Sequence, residues 1–237
     1  MGLDIAIPEY STVAYSANFG GGEPIQTFPT IHRIHTVLFT DQPPPYPACW
    51  KRVVRVEYET LAGTPRRAAR RLKLQSHLLF PKAQWSVWFD ATHSPVVDLS
   101  ELHVPLLYSS VACFRHPRRR TIREEAATCI EQQLDTPERI NQMCAFFDTL
   151  GFQDNYGLYG TACLVRRHTP QVACMNSLWW EYVSRWSHRD QISLPCVLWQ
   201  AGIAPACLLG EPRPRQPVFG EPSRPNPYFD VTLWPDP

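Results

Sequence analysis

Short apolar runs that stop on a glycine cluster or a carboxylate constrain this chain more than any other feature. Ser11 to Ala17 runs into Asn18-Phe19-Gly20-Gly21-Gly22, Ile34 to Phe39 closes on Thr40-Asp41, and Trp85 to Phe89 closes on Asp90-Ala91-Thr92-His93. Runs this short, bounded by turn formers, read as buried strands. Val53 to Tyr58, Val111 to Phe114 and Leu158 to Val165 read the same way. Helical patterns lie between them. Thr64-Pro65 opens a basic helix reaching Leu79, with proline at its favoured first position. Asp98-Leu99-Ser100-Glu101 has capping-box spacing, and Thr121 to Leu134 is a further helix. Thr136-Pro137 starts another, whose Ile140, Met143, Cys144 and Phe147 share a face. Ser177 to Trp186 and Gln191 to Ala201 complete the set. Strands alternating with helices predict an α/β layered fold, whose ligands gather at the carboxyl ends of the strands. That rule places Asp90 and the Gly20-Gly21 turn in one cleft.

The 237 residues suffice for one large α/β domain. From Glu211 onward eight of 27 residues are proline, so residues 211–237 read as an extended arm beyond a domain of residues 1–210. A formal net charge of +1 gives no global case for nucleic acid. No apolar stretch approaches the roughly 18–20 residues that span a bilayer. The first residues carry acids and a proline where a signal peptide needs basic and apolar ones, which predicts a cytoplasmic protein. The eight cysteines form no Cys-x-x-Cys, so free, buried thiols are expected in place of a zinc site or disulfide framework.

Several constellations could carry chemistry. Arg189-Asp190-Gln191 follows the aromatic run around Trp179-Trp180-Glu181 and presents a carboxylate and a carboxamide to a sugar beside aromatic platforms. Asn18 to Gly22 lets a backbone approach a nucleotide, or is simply a strand-ending turn, and lacks the spacing of a dinucleotide fingerprint. Asp41 could accept from a ribose or base, or form a turn. Arg70, Lys73 and His77 share a helical face by spacing, suited to a diphosphate or to plain solvation. Asp90 ends its strand where a divalent cation would bridge phosphates, but Thr92 and His93 stand in place of a second acid. His116 with Arg118, Arg119 and Arg120 leads to Glu125, and His168 follows Arg166-Arg167.

In chain order, Tyr15-Ser16-Ala17-Asn18-Phe19-Gly20-Gly21, Phe39-Thr40-Asp41, Arg70 and Lys73 before His77, and Ser86-Val87-Trp88-Phe89-Asp90-Ala91 form an ordered set. It continues through His116-Pro117, Glu125-Ala126, Gly157-Leu158-Tyr159, Arg166-Arg167-His168, Trp179-Trp180-Glu181 and Arg189-Asp190-Gln191-Ile192-Ser193. The set resembles a glycosyltransferase-like family of bacteria and plants, over about residues 11 to 202. The resemblance implies a single GT-A-type nucleotide-sugar-binding domain with a mixed, mainly parallel central sheet flanked by helices. It implies transfer from a nucleotide sugar, a UDP-sugar first, to a carbohydrate or glycoconjugate acceptor.

On that resemblance Asp190, Gln191 and Glu181 are the catalytic candidates, Asp190-Gln191 matching the pair of retaining transferases. Ala17, Asn18, Phe19, Gly20, Asp41, Arg70, Lys73, His77, Asp90, Ala91 and Arg189 are donor-side candidates. His116, Glu125, His168, Trp179 and Trp180 are acceptor-side candidates, and Asp90 with His93 would hold manganese or magnesium. The metal-binding His that usually follows the Asp-Gln pair is missing after His188. A ceramide-hydrolysing activity is also attached to this family. An amide or glycoside hydrolase and a non-catalytic carbohydrate-binding protein are therefore the competing readings. An Asp190→Asn change is expected to abolish transfer and leave the fold intact.

Overall fold

The computed structural model describes residues 11–210 and 226–231. Seven strands form one sheet: β1 Thr12–Asn18, β2 His35–Thr40, β3 Arg52–Arg55, β4 Trp85–Phe89, β6 Val111–Arg115, β7 Tyr159–Arg167 and β8 Ala206–Leu208. Their order is β3-β2-β1-β4-β7-β6-β8. The first four are mutually parallel, β7 runs against both β4 and β6, and β8 is parallel to β6. Only β7 is reversed, so the sheet is mixed and mainly parallel, as expected. Two short strands, β5 His93–Pro95 and β9 Phe229–Val231, pair antiparallel as a separate ribbon. Within the span expected to be an arm, β9 therefore folds back beside the strand that follows Asp90.

Both faces of the sheet are covered, which is why its strands are nearly continuous apolar runs. Alternation sends Val13, Tyr15 and Ala17 of β1 to one core and Ala14 to the other. The first core lies under α1 Tyr58–Ala62, α2 Pro65–Leu74, α3 Ser76–Leu79, α4 Ile122–Glu131, α5 Pro137–Thr149, α6 Pro170–Arg185 and α7 Asp190–Ala201. Trp88 and Trp179 are fully buried in it, each contributing about 1.5–3 kcal/mol or more by leaving water. The second core packs Phe28, Trp50, Phe89 and Phe229 against the opposite face.

Threonine side chains cap three of the seven α-helices among the described residues. Thr64 accepts from the Arg67 N–H, Thr169 accepts from the Val172 N–H, and Thr121 forms a full capping box with Glu124. Each such cap stabilises its helix by about 1 kcal/mol. Three boundaries differ from the sequence reading. Tyr58 opens α1 and does not end a strand. The basic helix breaks at Gln75, whose backbone leaves the helical region, and α3 is a separate turn of Ser76–Leu79. Helix α6 begins at Pro170, well before Ser177. The segment after Asp98 is a 3-10 helix, Leu99–Leu107, carrying Pro105. All eight cysteines are free thiols, with Cys174 and Cys207 exposed and the rest buried. Among the described residues no helix is long and apolar enough to cross a membrane.

Candidate active site

Because β1, β2, β4 and β6 share a direction, Asn18, Asp41, Asp90 and His116 all come to one edge of the sheet. A cavity of about 410 Å³ opens there, lined among others by Ala17 to Gly20, Arg66, Arg70, Asp90, Ala91 and Arg189. A second, of about 400 Å³, lies beside it and takes in His116, Glu125, Thr161, Asp190 and Gln191. Arg70, Asp90 and Arg189 line both.

The glycine turn is held from several sides. Gly20 sits at φ +80°, where a side chain is strained, and its N–H donates to Asp41 Oδ2 at 2.9 Å. Asp41 thus braces the turn and does not line the cavity. The buried Asn18 amide donates to the Pro24 carbonyl at 3.0 Å and accepts from Gln42 Nε2 at 2.8 Å, stapling the loop that follows.

Behind the shared wall lies a buried ionic cluster. Asp190 is the first residue of α7, where the helix dipole favours a carboxylate. Its Oδ1 is 2.9 Å from Arg70 Nε, and its Oδ2 is 2.6 Å from Lys73 Nζ. Lys73 also reaches Asp90 Oδ1 at 3.4 Å, and the Trp88 indole N–H donates to that oxygen at 2.8 Å. Burial pushes the Asp190 carboxyl up, but Arg70 and Lys73 more than offset it and hold it well below the usual carboxylate range. Asp90 is likewise pushed up by burial and brought below its ordinary value by Lys73, Arg70 and His93. Burial lowers the Lys73 ammonium despite both carboxylates. Both aspartates are therefore anions at neutral pH, fit to accept hydrogen bonds and unfit to donate protons.

Trp179 is fully buried, and its indole N–H donates to the Asp190 carbonyl at 3.1 Å and to Ser193 Oγ at 3.0 Å. It anchors the start of α7 and offers no face to a sugar. Asp135 holds the preceding turn, accepting from Ser187 Oγ at 2.8 Å and from the His188 N–H at 3.1 Å. In the second cavity Arg119 Nε pairs with Glu125 Oε2 at 2.6 Å, while Arg189 reaches Glu125 Oε1 only at 4.0 Å.

Other expected site residues lie elsewhere. The break at Gln75 turns His77 toward α6, where it meets Ser177 Oγ at 3.2 Å. His168 follows the C-terminal end of β7, and since that strand is reversed, it lies at the opposite sheet edge beside Gln84. Glu181 is exposed on α6 and lines neither cavity. Trp180 packs under Arg71 with the guanidinium 5.8 Å from its ring centroid. His93 is buried in β5, with Nδ1 3.0 Å from Thr92 Oγ1 and its ring against Phe229. Residues that sequence reasoning did not assign include Glu23, Trp88, His188, Thr161 and Gln132. The reversal of β7 brings Gly160 to Ala162 to the second cavity, and no run of residue types signals such a reversal.

A hard divalent cation asks for several carboxylate or carbonyl oxygens around one point. Here Asp90 Oδ1 is engaged by Trp88 and Lys73, and both Asp190 oxygens face cations. Among the described residues no three His, Cys, Asp or Glu side chains converge as a metal set. The donor set does not fit such an ion.

The sequence over residues 39–207 matches a family described as "TOD1/MUCI70, glycosyltransferase-like domain", a span of more than half the chain. A protein of Arabidopsis thaliana named "Probable hexosyltransferase MUCI70" is 30% identical over 142 residues, covering 53% of this chain and 23% of the relative. The chain thus spans less than a quarter of that relative's length. A solved apo structure of the bifunctional glycosyltransferase WbbM aligns over 82% of this chain and 39% of its own, at 12% identity and a TM-score of 0.45.

Proposed function

Because the chain belongs to the TOD1/MUCI70 glycosyltransferase-like family, we propose that it is a transferase moving a hexose from a nucleotide sugar to a hydroxyl of a carbohydrate or glycoconjugate. One observation carries this reading: two adjoining cavities share a wall of Arg70, Asp90 and Arg189. The nucleotide and its diphosphate occupy the cavity under the Gly20 turn, a UDP-sugar being the first donor to try. The acceptor occupies the cavity beside α7. The sugar sits between them, its hydroxyls held by the carboxylates of Asp90 and Asp190.

Chemistry at that wall breaks the bond from the anomeric carbon to the phosphate oxygen and forms one to the acceptor oxygen. Arg70 and Arg189 stabilise the negative charge that grows on the leaving diphosphate, a preorganised electrostatic contribution. A general base works best with a pKa near the operating pH. Asp90 and Asp190 are held below the carboxylate range, and Glu125 is locked to Arg119. His116, the imidazole of that cavity, already accepts the Arg119 N–H at Nδ1 at 2.8 Å. The acceptor proton passes to the leaving phosphate oxygen on the same face of the sugar, which retains anomeric configuration. Gln191 lies beneath the anomeric carbon and orients the acceptor.

The test is a panel of nucleotide sugars in thermal-shift and transfer assays, with product anomers read by NMR. Stabilisation and turnover with one donor and a retained anomer are expected. Inverted product would dismiss the same-face path, and silence across the panel would dismiss the transferase reading.

A further inference from the structure

We infer that the donor's diphosphate is held and neutralised here by arginine side chains in place of a divalent cation, an inference that rests on the nucleotide-sugar reading above. Asp90 stands where a bridging cation would need its first carboxylate, yet one oxygen already takes the Trp88 indole N–H and lies near the Lys73 ammonium. The other nearby acid, Asp190, gives one oxygen to Arg70 and the other to Lys73. Along the first cavity and just behind it, the cations Arg66, Arg70, Lys73 and Arg189 outnumber the carboxylates Glu23, Asp90 and Asp190.

Further positive charge lies deeper. Arg166 is fully buried, donates to the Lys73 carbonyl at 2.8 Å and to Tyr15 Oη at 2.7 Å, and has no carboxylate partner among the described residues. A dication placed beside Asp90 would face the Lys73 and Arg70 charges in a partly desolvated site, where like charges repel strongly. A diphosphate brings the opposite charge. Two guanidiniums are placed to receive it. Arg66 lines the cavity, is exposed, and makes no ion pair with an acid among the described residues. Arg189 lines the same cavity, with Glu125 only at 4.0 Å. Guanidinium forks match phosphate oxygens in geometry as well as charge.

Isothermal titration of the full chain with UDP, GDP and ADP, first in EDTA and then in manganese, tests this. At least one diphosphate should bind in EDTA, with a Kd that manganese changes by less than about twofold. Arg66→Ala and Arg189→Ala should each weaken that binding by roughly tenfold or more, the scale of a lost charge-assisted contact. Raised salt should weaken it as well. Since Arg66 is exposed, its variant should melt with the parent protein, so weakened binding there reports the contact. Binding that appears only with manganese would overturn the arginine assignment and leave the donor reading standing. So would parent-like affinity in both variants. Failure of all three diphosphates with and without manganese would overturn the donor reading too.

Discussion

Lys73 and Asp190 form a 2.6 Å ion pair in which the lysine side chain is wholly shut off from water. Two elements distant in sequence, α2 and the start of α7, are joined by it. Removing the lysine leaves Asp190 with Arg70 at 2.9 Å, so the loss is that of one buried charge-assisted contact, about 1–3 kcal/mol. Lys73→Met is therefore expected to lose stability on that scale in urea denaturation. A loss below about 1 kcal/mol, the range of exposed pairs, would show that the pair does not tie the helices together.

Asp190→Asn should abolish most transfer, since a contact made in the transition state is worth roughly 2–4 kcal/mol. The expectation that its fold stays intact changes with the structure. Asp190 is 3% exposed and faces two cations, so its melting temperature should fall as well. Gln191→Ala separates the two effects, because Gln191 lines the second cavity without an ion pair. It should reduce kcat at a nearly unchanged melting temperature. Parent-like kcat in that variant would remove Gln191 from the transfer step.

Acid should weaken the fold before it touches the aspartates. Burial, aided by the Arg166 charge, lowers the imidazoles of His77 and His168 from 6.5 to about 4. The unfolded chain takes up protons near pH 6.5 while the folded protein resists until about 4. Stability should accordingly decline as pH falls through that interval. His168→Phe should flatten part of the slope in a pH series of melts, and an unchanged slope would show that His168 does not contribute to it.

Gly20→Ala tests the donor turn. An added Cβ would meet Pro65 Cγ at 3.1 Å, and φ +80° is strained for any side chain. A loss of about 1–2 kcal/mol is expected, together with weaker donor binding and a raised KM. A variant with parent-like KM and stability would show that the turn tolerates a side chain and does not shape the donor cavity.

The strand ends were legible because an apolar run that stops on a polar residue marks a boundary whatever its surroundings. Asp90 and the Gly20-Gly21 turn are thus placed in one cleft by the sequence alone. Strand direction was not legible, since alternation reads the same forwards and backwards. The sequence therefore points His168 to the cleft, although its strand delivers it to the far edge. Helix phase puts His77 on the Arg70 face only for a helix unbroken past Gln75. Glu181 and Trp179 looked alike as members of an aromatic run, and helical phase separates them: one is exposed, while the other clamps α7. The three-residue strands β5, β8 and β9 are too short to show periodicity.

The pairing of β9 with β5 bears on how the protein matures. His93 follows directly on the wall formed by Asp90 to Thr92, and its strand partner is Val231. Almost every other strand contact near the donor cavity closes within the first half of the chain or through β7. During synthesis the sheet can thus assemble while this flank stays open, until residue 231 has left the ribosome. Competence to hold a donor would then lag behind assembly of the sheet, and a nascent chain stalled just short of β9 would carry a sheet with this flank unfinished.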